Sequence, residues 1–587
     1  MTTMASCRNG VVPARVLAMA SPCVLTGGVV HTMVAGAEPA QALAWADGRI
    51  LAVGTDQQVT DEAGQDATVI DLAGRTLLPG FIDAHHHFSG AVIDSVAVDC
   101  SAAQAPSIDA LIERLRAAAA DVPPDQWLVG VGYDELCLAD QRHPTRSDLD
   151  RIGTSRPVLL HHYSFHEGVL SSAGLAAAGI DRHATPPRAG IIEHDRAGEP
   201  NGRVIETAYS GAAKLAQDSF LRAQPDDFLA GLQAYQDQLF RVGITRVCDP
   251  LVPAEVETLY RTAHQQKRLQ MPIVMLPGSS TGNLCPPWDR LDGAITGEGP
   301  EDLRLGHLKV FLDGATRCAI SMSLGQLGRS ALGALALAWR ARSLSVLHEA
   351  GDMSFRLGRD LQVRSGVRYL SREQSRDLTT QACDRGFAVA FHAIGNDAVD
   401  QAIDAFAHVG SRHGELPPPR IEHATLLDVD LAKRAADLGI CVVSQPSFLE
   451  LPVFQSMPIP PGLRLLGHRT MLDAGIRVAG SSDAPVASFD PLAALRCAVS
   501  RRTAEGQEIQ PAEAVSPAEV LAMYTREAAY ATGSLPVCGT LEPGKRADLV
   551  VLNADPCTTH ETLDALAALA VERTIVGGET VYDADSQ

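Results

Sequence analysis

No two cysteines in this 587-residue chain stand at C-x-x-C spacing, although 12 cysteines are scattered from Cys7 to Cys557. The thiol pairs that build zinc ribbons or exchange disulfides are therefore missing, and the scatter demands no disulfide framework. A reducing cytoplasm is the expected compartment. Long apolar runs are also lacking: the longest, Ala331 to Trp339, falls far short of the ~20 residues that a membrane helix needs. Positive charge is scarce as well. Lys and Arg total 49 against 70 Asp and Glu, a net charge of -21, which repels phosphate backbones and anionic lipid. Neither nucleic acid nor a membrane is expected as a partner. Near the N-terminus, a short apolar piece ending Ala18-Met19-Ala20 is interrupted by Pro13 and Arg15. Residues 1–22 are accordingly expected to be a flexible N-terminus and not a signal peptide.

What is present is the composition of a folded protein, 46% hydrophobic and 20% charged, in a chain too long for one ordinary domain. The stretch from Leu77 to Phe88, LLPGFIDAHHHF, begins apolar and ends in histidines, the pattern of a buried strand opening onto a polar site. Side chains alternate along a strand, so His85 and His87 share a face and His86 points away. That makes His85 and His87 a candidate metal-ligand pair.

Similar apolar runs recur at Gly243–Asp249, Met271–Leu276, His307–Asp313, Phe387–His392, Arg420–His423, Ile440–Gln445 and Ile476–Asp483. Helical patterns fill the gaps at Leu427–Leu438, Leu463–Ala474, Leu492–Ser500 and Pro517–Thr532, the last opened by the capping box Ser516-Pro517-Ala518-Glu519. Strands alternating with helices to a count of eight imply an α/β fold, a (β/α)8 TIM barrel with its chemistry at the C-terminal strand ends. Short strand-like pieces at both ends of the chain point to one small β-sandwich formed by the two termini. The expected organisation is 23–76 as the N-terminal part of that sandwich, 77–533 as the barrel and 534–587 as the C-terminal part. About 150 residues separate the first two barrel strands, too many for a loop, so an inserted subdomain is expected at about 89–242. The tract from Arg317 to Leu370 is expected to form a long loop or lid.

The strand ends carry His85, His87, Lys309 with Asp313, His392, His423 and Asp483. A lone histidine is more often a hydrogen-bonded structural residue than a ligand. Four of them, with a lysine and aspartates, at the same end of different strands are poorly explained by chance. Imidazole and carboxylate suit zinc and similar divalent ions. Cys248 falls outside this pattern as a packed thiol.

The chain resembles the amidohydrolase superfamily, and within it the amidohydrolase 3 or YtcJ-like group that includes N-substituted formamide deformylases. The resemblance rests on the 77–88 stretch, GITRVCDP at 243–250, LKVFLDGAT at 308–316 and FHAIGNDAVDQAIDAF at 391–406. It continues through RIEHATLL at 420–427, SQPSF at 444–448, AGSSDAPVASFDPL at 479–492 and GKRADLVVLNADP at 544–556. It implies a distorted barrel with a small β-sandwich and one or two divalent metal ions, most readily zinc. Position by position, it implies that His85, His87, Lys309, His392, His423 and Asp483 are the metal ligands, with Lys309 carboxylated. His166 occupies the place of a histidine that in the family follows a glycine, and here Phe165 replaces that glycine.

These groups suit hydrolysis by metal-activated hydroxide, since a divalent ion lowers the pKa of bound water to about 7. Asp483 is expected to be both ligand and catalytic proton carrier, taking a proton from water and handing it to the departing nitrogen. The expected activity is cleavage of a C–N bond in an N-substituted formamide or related small amide. Hydrolysis of cyclic amides or N-acyl amino acids is the alternative, and a non-catalytic binding relative is a third reading. Glu422 and Asn396 are candidates to orient the imidazoles. Trp127, Tyr133 and Asp134 of the insertion, His166 and Arg317 are candidates to line the substrate pocket. The expected partner is a small-molecule amide, with at most a second copy of the chain as a homodimer.

Overall fold

The structure, a computed structural model, describes residues 21–123, 126–315, 317–341, 355–410, 416–456, 459–558 and 562–586. Most of the expected flexible N-terminus, and 342–354 of the 317–370 tract, lie outside the described residues. The architecture is mixed α/β, with parallel strands alternating with helices in two adjacent sheets. The first sheet runs Leu303–Leu305, Ile273–Pro277, Ile244–Val252, Phe81–Asp83 in spatial order. The second runs Leu308–Phe311, Val389–Ala393, Arg420–His423, Cys441–Ser444, Val478–Gly480. All neighbours within these two sheets are parallel. Their side chains are almost all buried, as a parallel sheet covered on both faces requires, and so the strands read in sequence as near-continuous apolar runs.

Main-chain bonds link the edges of the two sheets. Ala84 N donates to Gly480 O at 3.3 Å and Asp483 N to His85 O at 2.8 Å on one side, and on the other Leu303–Leu305 of the first sheet runs on through Gly306 and His307 into Leu308–Phe311 of the second. Asp83 reinforces the first seam, accepting from the Ser482 amide at 3.0 Å and its hydroxyl at 2.5 Å.

The helices start where their caps dictate. Asp428 accepts from Leu431 N ahead of Val429–Asp437, and the Ser516 and Glu519 box opens Pro517–Ala522, which continues through a π-helical turn at Met523–Glu527. The helix expected at Leu463–Ala474 is shorter, His468–Asp473, because Arg464–Leu465 pairs antiparallel with Leu426–Leu427.

The histidine-bearing stretch is two strands, not one. Thr76–Pro79 pairs with Val29–Val30 and Leu549–Leu552 in a terminal sheet, whereas Phe81–Asp83 joins Ile244–Val252 in the central one. Gly80 makes the passage. A Cβ there would overlap the Thr245 hydroxyl and lie 2.7 Å from Thr245 Cβ, so the close approach requires glycine. The border expected between 76 and 77 therefore falls at Gly80.

Two terminal sheets flank the central ones. One contains Arg49–Gly54, Ala42–Ala46, Cys23–Thr26 and Thr68–Asp71; the other adds Val571–Val576 and Glu579–Asp583 beside Leu549–Leu552. Leu25, Leu43, Trp45, Leu77, Leu549 and Ile575 from both sheets form one buried cluster.

Residues between the first two central strands form a six-stranded sheet, in the order Gly190–His194, Pro200–Glu206, Glu167–Leu170, Val158–His162, Leu128–Tyr133, Val98–Asp99. Helices Thr207–Ala223 and Pro225–Arg241 lead the chain back from it. The tract after Thr316 is more ordered than a loop. Ile320–Ser323, Gln362–Ser365 and Arg356–Leu357 make a small antiparallel sheet, and Leu324–Ala341 is a helix. No helix among the described residues is long and apolar enough to cross a membrane. Every described cysteine is a free thiol.

Candidate metal centre and substrate cavity

The C-terminal ends of the parallel strands bring together the residues singled out from the sequence. His85 and His87 follow Phe81–Asp83, Lys309 lies in Leu308–Phe311, His392 and His423 close their strands, and Asp483 follows Val478–Gly480. Asp483 Oδ1 lies 3.2 Å from His85 Nε2 and 3.1 Å from His87 Nε2. This buried oxygen nonetheless has no aligned hydrogen-bond donor, and neither does His392 Nε2. Lys309 Nζ is 3.4 Å from His85 Nε2. The His423 ring lies 4.9 Å from that of His85 and 4.6 Å from that of His392, centroid to centroid. His86 points the other way, its two nitrogens on Asp83 at 2.9 Å and the Tyr235 hydroxyl at 3.0 Å, as strand alternation requires.

Buried partners hold these rings. His85 Nδ1 is bonded to Glu422 Oε2, and Glu422 is clamped by Arg420, whose Nε donates to Oε1 at 2.5 Å. Arg420 also donates to Ala84 O at 2.8 Å, so the carboxylate behind His85 is tied to the strand that carries His85. His423 Nδ1 faces Gln445 Oε1 at 2.9 Å, which leaves Nε2 toward the site. His423 and Asp483 have φ of 73° and 58°, left-handed conformations that cost on the order of 1–3 kcal/mol each and concentrate at functional sites.

Electrostatics prepare the groups for coordination. Burial pushes His423 down to about 3 and His392 well below the usual imidazole range, so both rings are neutral, the form that can coordinate a metal. Burial alone would raise Asp483 and Glu422. Instead the nearby imidazoles of His85 and His87 hold Asp483, and the charges and hydrogen bonds of Arg420 and His85 hold Glu422, well below the usual carboxylate range. Burial lowers Lys309 to about 8, against the pull of Glu422 and Asp483. Neutral imidazoles, an ionised carboxylate and two orphaned buried donor atoms fit a divalent ion.

The centre opens onto a cavity of about 390 Å3 roofed by the insertion. Trp127 and His166 line it. Arg317 is not among the lining residues; its carbonyl accepts from Val367 N instead. Tyr133 is packed in the core of the insertion, and Asp134 bonds the Leu136 amide at 2.9 Å. Asn396 bonds Ser321 main chain and orients no imidazole. Cys248 is buried beside Arg420, 3.8 Å from its guanidinium, and burial pushes its thiol up to about 12. Asp313 caps a turn, accepting from the amides of Ala319, Ile394 and Gly395. Sequence reasoning missed Arg420, Gln445, Glu206 and Tyr369. The partners of Gln445, Glu206 and Tyr369 lie in other segments of the chain, so no local spacing marks them, whereas Arg420 stands two residues before Glu422 on the same face of one strand, a spacing that could have marked it.

Imidazoles, a lysine and a carboxylate gathered at parallel strand ends of a mixed α/β scaffold make a candidate metal centre, His85, His87 and Asp483 being grouped closely enough to hold one ion. The chain belongs to the Amidohydrolase family, whose sequence model matches residues 68–582. It is 32% identical to the N-substituted formamide deformylase of Arthrobacter pascens over 94% of this chain and 97% of that protein. It is 28% identical to the putative amidohydrolase YtcJ of Bacillus subtilis, over 95% of this chain and 98% of that one. A metal-dependent hydrolase from Pyrococcus horikoshii shares the fold, with a TM-score of 0.68 at 22% identity, over 92% of this chain and 98% of that one.

Proposed function

We propose that the protein is a metal-dependent hydrolase of the C–N bond in small secondary amides, N-substituted formamides first among them. The observation that carries the reading is the convergence of His85 Nε2 and His87 Nε2 on the orphaned Asp483 Oδ1, at 3.2 Å and 3.1 Å. On this reading the two central sheets form one distorted (β/α)8 barrel with a β-sandwich from both termini. His85, His87, Lys309, His392, His423 and Asp483 would hold one or two zinc-like ions. Such an ion supplies acidified water and polarises a carbonyl.

The chain's own residues do the rest. Asp483, ionised at rest, takes the proton released by water and delivers it to the leaving nitrogen, which departs poorly without one. Glu422 fixes the His85 ring. With a pKa of about 8, Lys309 has a neutral fraction near neutral pH. That fraction can add carbon dioxide and lose a proton to become an anionic carbamate.

Ile93, Val129, Phe165, Phe220, Leu251 and Phe311 form apolar cavity walls, suited to an apolar N-substituent. Among the described residues no arginine lines the cavity, and Lys309 is its single lysine. Nothing there awaits the carboxylate of an N-acyl amino acid, which favours uncharged amides. The resemblance to the formamide deformylase supports the same choice.

The test is elemental analysis joined to an assay of N-alkylformamides, N-acyl amino acids and hydantoins. The expected result is one or two transition-metal ions per chain, hydrolysis of the formamides, and partial rescue of Lys309→Ala by short carboxylic acids. Full activity in metal-free protein would sink the proposal.

A further inference from the structure

His166 belongs to the insertion, yet it lines the cavity with its ring stacked on His392, 5.5 Å between centroids. Its Nδ1 lies 2.7 Å from Glu206 Oε2. An ionised carboxylate only accepts, so the proton between them sits on Nδ1. In the neutral ring Nε2 then carries a lone pair, and it has no partner among the described residues.

Glu206 is fully buried and is itself elaborately held. The Tyr369 hydroxyl donates to the same Oε2, and Glu206 N donates to His166 O at 2.6 Å. Its φ of 55° is a left-handed strain. Gly314 leaves room for the carboxylate, since a Cβ there would lie 2.8 Å from Glu206 Cδ. Three distant segments thus fix one imidazole in one tautomer beside the metal-ligand cluster.

We infer that His166, positioned by Glu206 and Tyr369, accepts the N–H of the scissile amide and thereby makes the enzyme discriminate against tertiary amides. The inference rests on the amide-hydrolase reading above. A tertiary amide brings no N–H and leaves the acceptor unpaired, and sites built around a hydrogen bond reject the analogue that lacks it far more strongly than sites built on apolar fit.

The test compares kcat/KM for N-butylformamide and N-butyl-N-methylformamide in the metal-loaded enzyme. The wild type should favour the secondary amide by roughly 10²-fold or more, and His166→Ala should lose at least about tenfold of that preference. Glu206→Gln, whose carbonyl can still accept from Nδ1, should keep more of the preference than Glu206→Ala. Tyr369→Phe, which removes only a hydroxyl, gives the readout if the Glu206 variants misfold, and should lower the preference partway. Equilibrium binding of N-butylmethanesulfonamide, which resists hydrolysis and has one N–H, against its N-butyl-N-methyl analogue, which has none, should show the same dependence on His166 without turnover.

A loss shared equally by both amides would mean that His166 donates to the carbonyl or is structural, and would overturn the inference. Equal turnover of both amides by the wild type would overturn it alone. No turnover of any amide would overturn the functional reading and the inference together.

Discussion

In the proposed function Asp483 combines two jobs that a single substitution can separate. Asparagine keeps the size and one ligating oxygen but carries no proton. Asp483→Asn is therefore expected to retain metal by elemental analysis and its fold by circular dichroism, while turnover falls at least ~10²-fold. Near-normal turnover in the metal-loaded variant would place the proton elsewhere. The local sequence flagged this residue through the small side chains before it, yet its left-handed φ of 58° could not be anticipated. Phe165 is a sharper case. It replaces the glycine that the family places before His166, and the structure gives it φ 54°, so the conformation that a glycine adopts freely persists without the glycine. The neighbours impose the backbone, and the residue type does not reveal it.

Elements were more legible than their joins. The strand ends bearing His85, His392, His423 and Asp483 were visible because buried parallel strands leave continuous apolar runs that stop at polar residues. The break at Gly80 was not visible, because Thr76–Pro79 and Phe81–Asp83 have the same apolar texture and differ only in their partners. The antiparallel sheet at 320–365 was hidden for a different reason: its strands are only two to four residues long, too short for an alternation to stand out in the sequence. The join itself is testable. Gly80→Ala drives a methyl into Thr245, and overpacking of a buried contact costs about 1–3 kcal/mol, more if backbone must move. The denaturant midpoint should fall accordingly while the metal ligands stay in place. An unchanged midpoint would show that the two sheets tolerate separation there.

At the scale of the whole molecule, the candidate metal-ligand cluster joins several strands of both central sheets, so an ion there would act as a clasp. Binding to the folded state alone stabilises by about 4 kcal/mol when free metal exceeds Kd a thousandfold. Chelation is expected to lower the unfolding temperature by several degrees and zinc to restore it, read by scanning calorimetry. His85→Ala should remove most of that response, and an equal response in His85→Ala would place the stabilising ion elsewhere. The overall plan was readable because alternating strands and helices leave few topologies to choose from. The insertion was readable only as an excess of length, although four of the five neighbour pairs in its sheet join strands that follow one another in the chain.

The shared stretch around Gly80 also sets a timetable for biosynthesis. Thr76–Pro79 leaves the ribosome early, but its partner Leu549–Leu552 is among the last strands translated. At about 5–20 residues per second, the wait is on the order of half a minute or longer. For that interval Leu77 and Leu78, fully buried in the finished protein, lack one of their two neighbouring strands. The nascent chain thus carries an exposed apolar strand edge just ahead of its histidine cluster, and that edge is a natural hold for a chaperone until the last strands arrive.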